Sequence, residues 1–361
     1  MSRLASLIAG WTLVAVAAVC MTNAAAAQSE PIYAGKTLRV IVGLTSGGSA
    51  DAFVRGFTGH LRKHLPGNPN VIIQNVTGAG GNAAINYLAE RADKDGLTIL
   101  FSPYHPLAQA FAGAGFRARY DDFELLGGVG DIRVNYVRTD AVPGGVREPK
   151  DIMKADNMIV GALSGTDFSG TLSVLSLKVL GVKHRVILGY RGGAEIFLAM
   201  QRGEIQFHNT SIGTFRQRSG DFVKSGTGIG VSYLVSVREN GQFERNTFIK
   251  EMPSFPDLYQ EIHGKPPSGP TWNAFNWLTT QTGDVTYVGL APRGTPPEML
   301  AALRLAFERV AHDPDYVKET IKRSGAPYRF VDVKSGQAIF NSLAEVSPGV
   351  LDTLREVIGA K

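Results

Sequence analysis

The chain has 361 residues, of which 44% are apolar and 19% charged, and its formal net charge is +5. This length and apolar content predict two folded domains. The basic charge is mild and has no Lys/Arg run with interleaved aromatic residues, which excludes a nucleic-acid-binding surface.

The N-terminus has the pattern of a secretory signal peptide. Arg3 precedes an apolar run, and four alanines ending at Ala27 offer a cleavage site. The run is at the lower limit for a membrane anchor, and Val19 before Cys20 is unlike the small residue that lipid attachment requires. We predict export to the periplasm with removal of residues 1–27. Because Cys20 is the only cysteine, the mature chain has no disulfide.

The first predicted elements of the mature chain are two strands that each turn on glycine into a helix. The run from Thr37 breaks at Gly47-Gly48, and apolar residues then recur at helical spacing up to Leu65. A second β-branched run from Val71 breaks between Gly78 and Gly81. Such turns direct backbone N–H groups and the positive end of a helix dipole at one spot, which suits a carboxylate or a phosphate.

Strand and helix patterns alternate through most of the remaining chain. Predicted strands cover residues 97–101, 134–137, 158–160, 185–188, 205–207 and 285–290, with polar turns at 163–170, 189–195 and 209–211. The stretch 239–277 is proline-rich and reads as irregular, and helices are predicted at 296–310 and 335–343. This alternation predicts an α/β fold with a parallel sheet, helices on both faces and a ligand site at the carboxyl ends of the strands.

Three enzyme patterns fit the chain poorly. Residues 78–83 match a dinucleotide-binding fingerprint, but the next strand ends in Ser102-Pro103 and not in an acid. His60 and His64 have a zinc-binding spacing without the glutamate of a zincin motif. The sequence has no serine nucleophile elbow, and no Walker lysine follows either glycine turn. The sequence predicts a binding protein without a cofactor or a bound metal, and not an enzyme.

Six motifs in register resemble the receptors of tripartite tricarboxylate transporters, also called the Bug family, over nearly all of the mature chain. They are Gly43-Leu-Thr-Ser-Gly-Gly-Ser-Ala-Asp51, Gln74-Asn-Val-Thr-Gly-Ala-Gly-Gly-Asn82, Asp95-Gly-Leu-Thr98, Gly189-Tyr-Arg-Gly-Gly193, Met200-Gln-Arg-Gly-Glu204 and Leu290-Ala-Pro-Arg-Gly-Thr-Pro296. Three departures concern the ligand loops: Gly43-Leu44 replaces the usual Pro-Phe, Thr77 replaces a proline, and the second-lobe loop begins Leu163-Ser-Gly.

The resemblance implies a type II periplasmic binding protein whose two lobes close on a small organic acid. One lobe would contain residues 31–131 and 287–361, the other residues 132–286, with two crossing strands as the hinge. The implied function is capture of a mono- or dicarboxylate for the membrane permease of a tripartite transporter, by a monomer. The alternatives are a ligand sensor for a signalling partner and an exported hydrolase on the same fold.

The family holds the ligand carboxylate between one loop of each lobe, which map here onto residues 45–51 and 163–168. The residues predicted to bind the ligand are Thr45, Ser46, Gly47, Gly48, Ser49, Asp51, Gly78, Tyr104, Ser164, Gly165, Thr166, Asp167, Phe168, Arg191 and Asn209. Hydroxyl and backbone groups would bind the carboxylate. Tyr104 and Phe168 would either pack on an apolar ligand body or belong to the core. Arg191 would either bind a second carboxylate or lie in solvent at the surface. Asp51 has a second interpretation, as a helix cap.

Overall fold

The computed structural model describes residues 30–111, 115–218, 220–238 and 240–358, and the Ser49 side chain is outside the described set. The predicted signal peptide lies outside the described residues. The strands are β1 (Thr37–Val42), β2 (Asn70–Asn75), β3 (Thr98–Pro103), β4 (Phe123–Gly130), β5 (Arg133–Arg138), β6 (Met158–Ala162), β7 (His184–Leu188), β8 (Phe207–Ser211), β9 (Gly228–Tyr233), β10 (Tyr287–Pro292) and β11 (Arg329–Val331).

Helices connect most of these strands. They are α1 (Ser49–His64), α2 (Asn82–Arg91), α3 (Pro106–Ala110), α4 (Phe168–Leu180), α5 (Gly193–Arg202), α6 (Ile212–Arg218), α7 (Gly220–Lys224), α8 (Phe255–His263), α9 (Pro270–Asp284), α10 (Pro297–Ala311), α11 (Pro314–Ser324), α12 (Val333–Ala344) and α13 (Pro348–Ile358). Short 3-10 turns lie at Ala79–Gly81, Tyr120–Asp122 and Pro149–Lys154. Across the ranges that the structure describes, no helix is both long and apolar enough to span a bilayer.

Two sheets form the centres of the two lobes. The first has six strands in the order β11-β4-β10-β3-β1-β2, and the second has five in the order β7-β6-β8-β5-β9. Strand β1 is parallel to both β2 and β3, and β6 is parallel to β7 and β8. The prediction of an α/β fold with two lobes is confirmed.

Both sheets are mixed, whereas the alternating strand and helix pattern predicts a parallel sheet. Strand β10 is antiparallel to β3 and β4, and β5 is antiparallel to β8 and β9. The reason is the connection between the lobes: the chain leaves the first sheet through β4 and returns to it through β10, so these neighbouring strands must run in opposite directions.

Helices cover both faces of each sheet, as the alternating pattern predicts. One face of the first sheet packs on α1 and α10 through Phe57 and Phe307, which are fully buried. The other face packs on α2 and α12. In the second lobe α4, α8 and α9 cover one face, and α5 and α6 cover the other. These layers hold the strand ends of both sheets in fixed positions around the gap between the lobes.

The two connections between the lobes are hydrogen-bonded to each other. The backbone N–H of Asp131, between β4 and β5, donates to Thr286 Oγ1 at 3.0 Å. The Thr286 N–H donates to the Val129 carbonyl at 2.9 Å. The outgoing and returning segments therefore form one paired unit between the sheets.

Three local predictions differ from the structure. Residues 209–211, predicted as a turn, continue strand β8 because they pair with β5. The proline-rich stretch contains two helices, since Pro256 and Pro270 lie in the first turns of α8 and α9, where a missing N–H is tolerated. The predicted first lobe includes all residues after 287, but α13 packs on the second lobe, with Leu354 fully buried there.

Candidate functional site

A cavity of about 120 Å³ lies between the loops at the strand ends of the two lobes. Leu44 and His105 follow β1 and β3 in the first lobe, and Leu163 follows β6 in the second. Ligands of open α/β sheets bind at the carboxyl ends of strands. The position of the cavity fits that rule for both lobes.

The opening in the second lobe results from the separation of two strands. Strands β6 and β8 share a single residue pair, Val160 with Phe207. Beyond that pair the loop at Leu163 and the end of β8 line the cavity from two sides. The crevice is a consequence of sheet topology and not of a surface loop.

The first glycine turn is held in place by the Asp51 carboxylate. It accepts hydrogen bonds from the Gly47 N–H at 2.9 Å, from Arg55 Nε at 2.8 Å and from Asn75 Nδ2 at 2.9 Å. Burial raises the pKa of Asp51, but these hydrogen bonds outweigh burial and lower the pKa to about 2. Asp51 therefore fixes the loop, and its oxygens are occupied by protein donors.

The first glycine turn lies at the edge of the cavity and forms only a small part of its wall. Leu44 and Ala50 contribute to the wall, whereas Thr45, Ser46, Gly47 and Gly48 do not. Thr45 Oγ1 lies 3.8 Å from the position that a Cβ on Gly192 would occupy. The first-lobe loop thus approaches the second lobe at the edge of the cavity.

The second glycine turn contributes more of the wall. Ala79, Gly80 and Asn82 line the cavity next to Gly78. Gly81 has a φ of +108°, and a Cβ there would lie 2.7 Å from His105 Nε2. Glycine is required at residue 81 because both the backbone conformation and the close approach exclude a side chain.

The second-lobe loop has a similar internal support. Asp167 caps helix α4, and its carboxylate accepts from the N–H groups of Leu163, Ser169 and Gly170, each at 3.2 Å. Burial raises the pKa of Asp167, although those hydrogen bonds and Arg133 act to lower it. Ser164 and Thr166 line the cavity beside it, and their hydroxyl oxygens are 3.5 Å apart.

A buried guanidinium forms part of the cavity wall. Arg133 begins β5 and is only 6% exposed. Its Nε donates to Asn209 Oδ1 at 2.9 Å, and its Nη2 donates to Ser169 Oγ at 2.6 Å. The guanidinium carbon is 5.0 Å from the centre of the Phe168 ring, a cation–π contact.

Arg133 has no ion-pair partner within the described ranges, and its Nη1 makes no hydrogen bond to a described residue. Burial lowers the pKa of Arg133, and the nearby Asp131 carboxyl opposes that shift. An arginine side chain stays charged under these conditions. The site therefore presents a cation with unused hydrogen-bonding capacity.

Three polar atoms of cavity-lining residues are buried without a hydrogen-bond partner in the described part of the chain. They are Asn82 Oδ1, His105 Nε2 and His208 Nδ1. Burial lowers the pKa of His105 to about 4. Burial, with Arg133 nearby, lowers the pKa of His208 to about 3. Both imidazoles are neutral at neutral pH.

The structure brings together some predicted site residues and separates others. Ser164, Thr166, Asp167 and Phe168 line the cavity. Gly165 is adjacent to it, and Asn209 is buried behind the wall, where it holds Arg133. Ser49 begins α1, but its side chain lies outside the described set.

Two predicted contacts are displaced from the cavity. Tyr104 is fully buried in the first lobe, stacked on Phe340, with its hydroxyl 3.2 Å from Gln281 Oε1. The Arg191 side chain is 88% exposed and lies 3.7 Å from Glu195. The aromatic residue is part of the core, and the arginine points into solvent.

Sequence reasoning missed Arg133, His105 and His208. The sequence does contain a signal for Arg133. It is a charged residue directly before an apolar strand, at a predicted lobe boundary, and a charge in that position indicates a functional or structural partner. The two histidines carry no such signal. The excluded zinc pair lies elsewhere, with His64 Nε2 2.7 Å from Asp313, and no three His, Cys, Asp or Glu residues of the described ranges cluster as a metal site.

No protein-family model and no curated protein matches the chain. Several solved structures do. The periplasmic binding protein BugD is 18% identical, covers 90% of this chain and 98% of its own, and has a TM-score of 0.64. MatC from Rhodopseudomonas palustris with bound malate is 18% identical, covers 89% and 98%, and has a TM-score of 0.63.

A third structure, R. palustris Rpa4515 with adipate, is 15% identical, covers 90% of this chain and 97% of its own, and has a TM-score of 0.65. A TctC solute-binding protein from Polaromonas has the same overall fold, with a TM-score of 0.57. At these identities the similarity establishes the fold. It is the two-lobed fold of periplasmic binding proteins of the Bug and TctC type, and these neighbours are binding proteins.

Proposed function

We propose that this chain is a periplasmic solute receptor that captures a small organic acid between its lobes for a tripartite tricarboxylate-type permease. It acts as a monomer, and the ligand occupies the cavity between residues 44–50 and 79–82 of the first lobe and residues 163–169 of the second. The two paired connections at Asp131 and Thr286 are the hinge.

The observation that carries this proposal is the guanidinium of Arg133. A buried cation is costly unless it is paired, and Arg133 has neutral hydrogen-bond acceptors only. The Asp131 and Asp167 carboxyls lie nearby without forming an ion pair with Arg133, so a ligand carboxylate would supply the direct partner and would accept from the free Nη1. The carboxylates of Asp51 and Asp167 already accept hydrogen bonds from protein groups. The anion that pairs with Arg133 would therefore come from the ligand.

Two further facts support an acid of modest size. The structural neighbours include proteins with bound malate and with bound adipate. The cavity of about 120 Å³ is smaller than a cavity of about 150 Å³ that accepts benzene. Compact acids fit the present arrangement, and longer ones require the lobes to open further.

The test is calorimetry on the mature chain, from Gln28, with a panel of mono- and dicarboxylates and with amines and sugars as controls. Replacing Arg133 by Gln removes the charge, and Arg133→Lys retains it. Loss of a buried charged partner costs about 2–5 kcal/mol of binding free energy, so Arg133→Gln weakens binding at least about 30-fold, whereas Arg133→Lys retains part of the affinity.

The melting temperature of each variant shows whether it is folded. Acid binding without any turnover of matching esters or amides supports a receptor over a hydrolase. If no organic acid binds the folded wild-type chain, or if an amine or sugar binds in its place, the proposal is wrong.

A further inference from the structure

We infer that Arg216 of helix α6 is a positioning residue, which binds the end of helix α11 across the lobe boundary and so favours short acids over long ones. This inference rests on the proposed function and names a residue that sets its specificity. It is based on the hydrogen bonds of Arg216, on two glycines that let the helices approach, and on the position of α6 at the ligand cavity.

The Arg216 guanidinium binds groups of both lobes. Its Nη1 donates to the carbonyl of Ser324, the last residue of α11. Helix α11 belongs to the first lobe, because its Tyr316 is buried in the core there. In the second lobe, Nε donates to Glu251 at 2.8 Å and Nη2 donates to the Phe248 carbonyl at 2.9 Å. The second lobe therefore fixes the guanidinium, and the first lobe receives one of its hydrogen bonds.

The end of a helix is a favourable place for this cation. The last carbonyls of a helix have no intrahelical partner and carry partial negative charge, so they attract a guanidinium. Ser324 is buried, and the Arg216 side chain is 23% exposed. A charge-assisted hydrogen bond that is partly shielded from water is stronger than a neutral one. The α6–α11 contact therefore stabilises the present arrangement of the lobes.

Two glycines allow the helices to approach so closely. Gly325 follows Ser324 with a φ of +75°, and a Cβ there would clash with the guanidinium of Arg216. A Cβ on Gly213 of α6 would lie 2.9 Å from Tyr328 Oη and 3.2 Å from Ser324 Cβ. Tyr328 packs on the core of the first lobe. Helix α6 is thus seated directly on the first lobe.

Helix α6 also reaches the ligand cavity. Thr214, two residues before Arg216, lines the cavity, and so does Ser211 at the end of β8, where α6 begins. A short helix moves as one unit. A displacement of α6 from α11 therefore changes the cavity between the lobes as well.

The available movement is opening of the cavity. Further closure is limited, because Thr45 Oγ1 already lies 3.8 Å from the position that a Cβ on Gly192 would occupy. A contact made only in the compact arrangement raises its population, and the affinity for a ligand of that arrangement rises in proportion. The cavity there is about 120 Å³. The α6–α11 contact therefore favours acids that fit it without opening.

Calorimetry with succinate and adipate on the wild type and on Arg216→Ala tests this inference. The affinity for succinate relative to adipate should fall at least about fivefold in the variant. Arg216→Lys, which still donates to a carbonyl, should retain part of the preference. The matched control is Arg138→Ala. Arg138 Nη1 donates to the Met200 carbonyl near the end of α5 at 2.7 Å, within the second lobe, so its loss should leave the relative affinities unchanged.

A pair of glycine variants leaves Arg216 in place. Gly325→Ala displaces the guanidinium and should reproduce the change seen with Arg216→Ala. Its control is Gly264→Ala, at the end of α8, where φ is +71° and no heavy atom lies within 4 Å of the new Cβ. Both alanines have similar backbone strain, so a difference in relative affinity reports the α6–α11 contact and not stability.

The separation of the lobes is measurable without a ligand. Cys20, in the predicted signal peptide, is the only cysteine of the chain, so spin labels can be attached to new cysteines in the mature chain. Ile72 on β2 and Leu188 on β7 are 40% and 56% exposed and lie on edge strands of the two sheets. The distance between these labels should increase in Arg216→Ala and stay at the wild-type value in Arg138→Ala.

The outcomes distinguish the two proposals. If no acid binds the wild type, the proposed function fails, and the label distances still test the α6–α11 contact. If Arg216→Ala keeps the wild-type label distance, or if Arg138→Ala changes the distance and the relative affinities equally, the receptor function stands and the inference about Arg216 is overturned.

Discussion

The Asp51 carboxylate accepts a hydrogen bond from the backbone N–H of Gly47, four residues earlier, at 2.9 Å. Arg55 and Asn75 bind the same carboxylate, so a single side chain links the first glycine turn to helix α1 and to the end of β2. The Asp51 side chain is 2% exposed. The geometry of the turn thus depends on one buried charge.

Replacing Asp51 by Asn should reduce the free energy of unfolding by about 1–3 kcal/mol, since the variant leaves buried donors unpaired. The pKa of Asp51 is about 2 in the folded chain and is near 3.9 in an unfolded chain. A lowered folded-state pKa gives stability that is present above about pH 4 and is lost as the pH falls toward 2.

Denaturant titrations between pH 2 and pH 7 measure this effect. The Asp51→Asn variant should lose less stability than the wild type over the acid range. Equal losses in the two proteins would contradict the assigned role.

Gly81→Ala should weaken acid binding at least about tenfold. Its Cβ would lie 2.7 Å from His105 Nε2 at a positive φ, so the second glycine turn must shift, and Ala79, Gly80 and Asn82 move with it. The matched control is Gly47→Ala, which has a φ of +77° and no heavy atom within 4 Å of the new Cβ.

Both changes carry a similar backbone strain, about 1–3 kcal/mol. Calorimetry and thermal melts on the two variants separate the clash from the strain. Equal effects on binding would show that the approach of His105 to Gly81 has no role in shaping the cavity. A substitution at Gly48 is a weaker test of the first glycine turn, because Gly48 has a φ of −73° and a side chain there adds no backbone strain.

Arg191→Ala should leave the dissociation constants of mono- and dicarboxylates unchanged within about twofold. The side chain is 88% exposed and forms only a surface contact with Glu195, an interaction worth about 0–1 kcal/mol. Calorimetry with succinate and propionate is sufficient. Selective weakening of succinate would restore the sequence-based prediction that Arg191 binds a second carboxylate.

The sequence predicts the α/β fold, the glycine turns and the two ligand loops because their signals are local. Glycine turns, hydroxyl residues and the helical spacing of apolar residues can each be recognised within a short stretch of the sequence. Arg133 is different: it reaches the cavity through the pairing of β5 with β8, some 75 residues later in the chain. The polar run 209–211 predicts Asn209 as a site residue, but only that long-range pairing explains its contact with Arg133.

The same limit explains the errors about topology. The antiparallel neighbours of β10 and the return of α13 to the second lobe depend on contacts that no local pattern encodes. Tyr104 follows a predicted strand, as a ligand residue would, and its aromatic side chain is equally suited to a core. The structure places it there, against Phe340.

Helix α13 has a consequence for how the molecule assembles. The first sheet requires β10 and β11, and the core of the second lobe requires residues 348–358. Lobes that fold as separate units form in the order of their synthesis, but here the first core is complete only when Leu343 is available and the second only when Leu354 is available. The two cores are therefore completed one shortly after the other, when the last described helices of the chain are available.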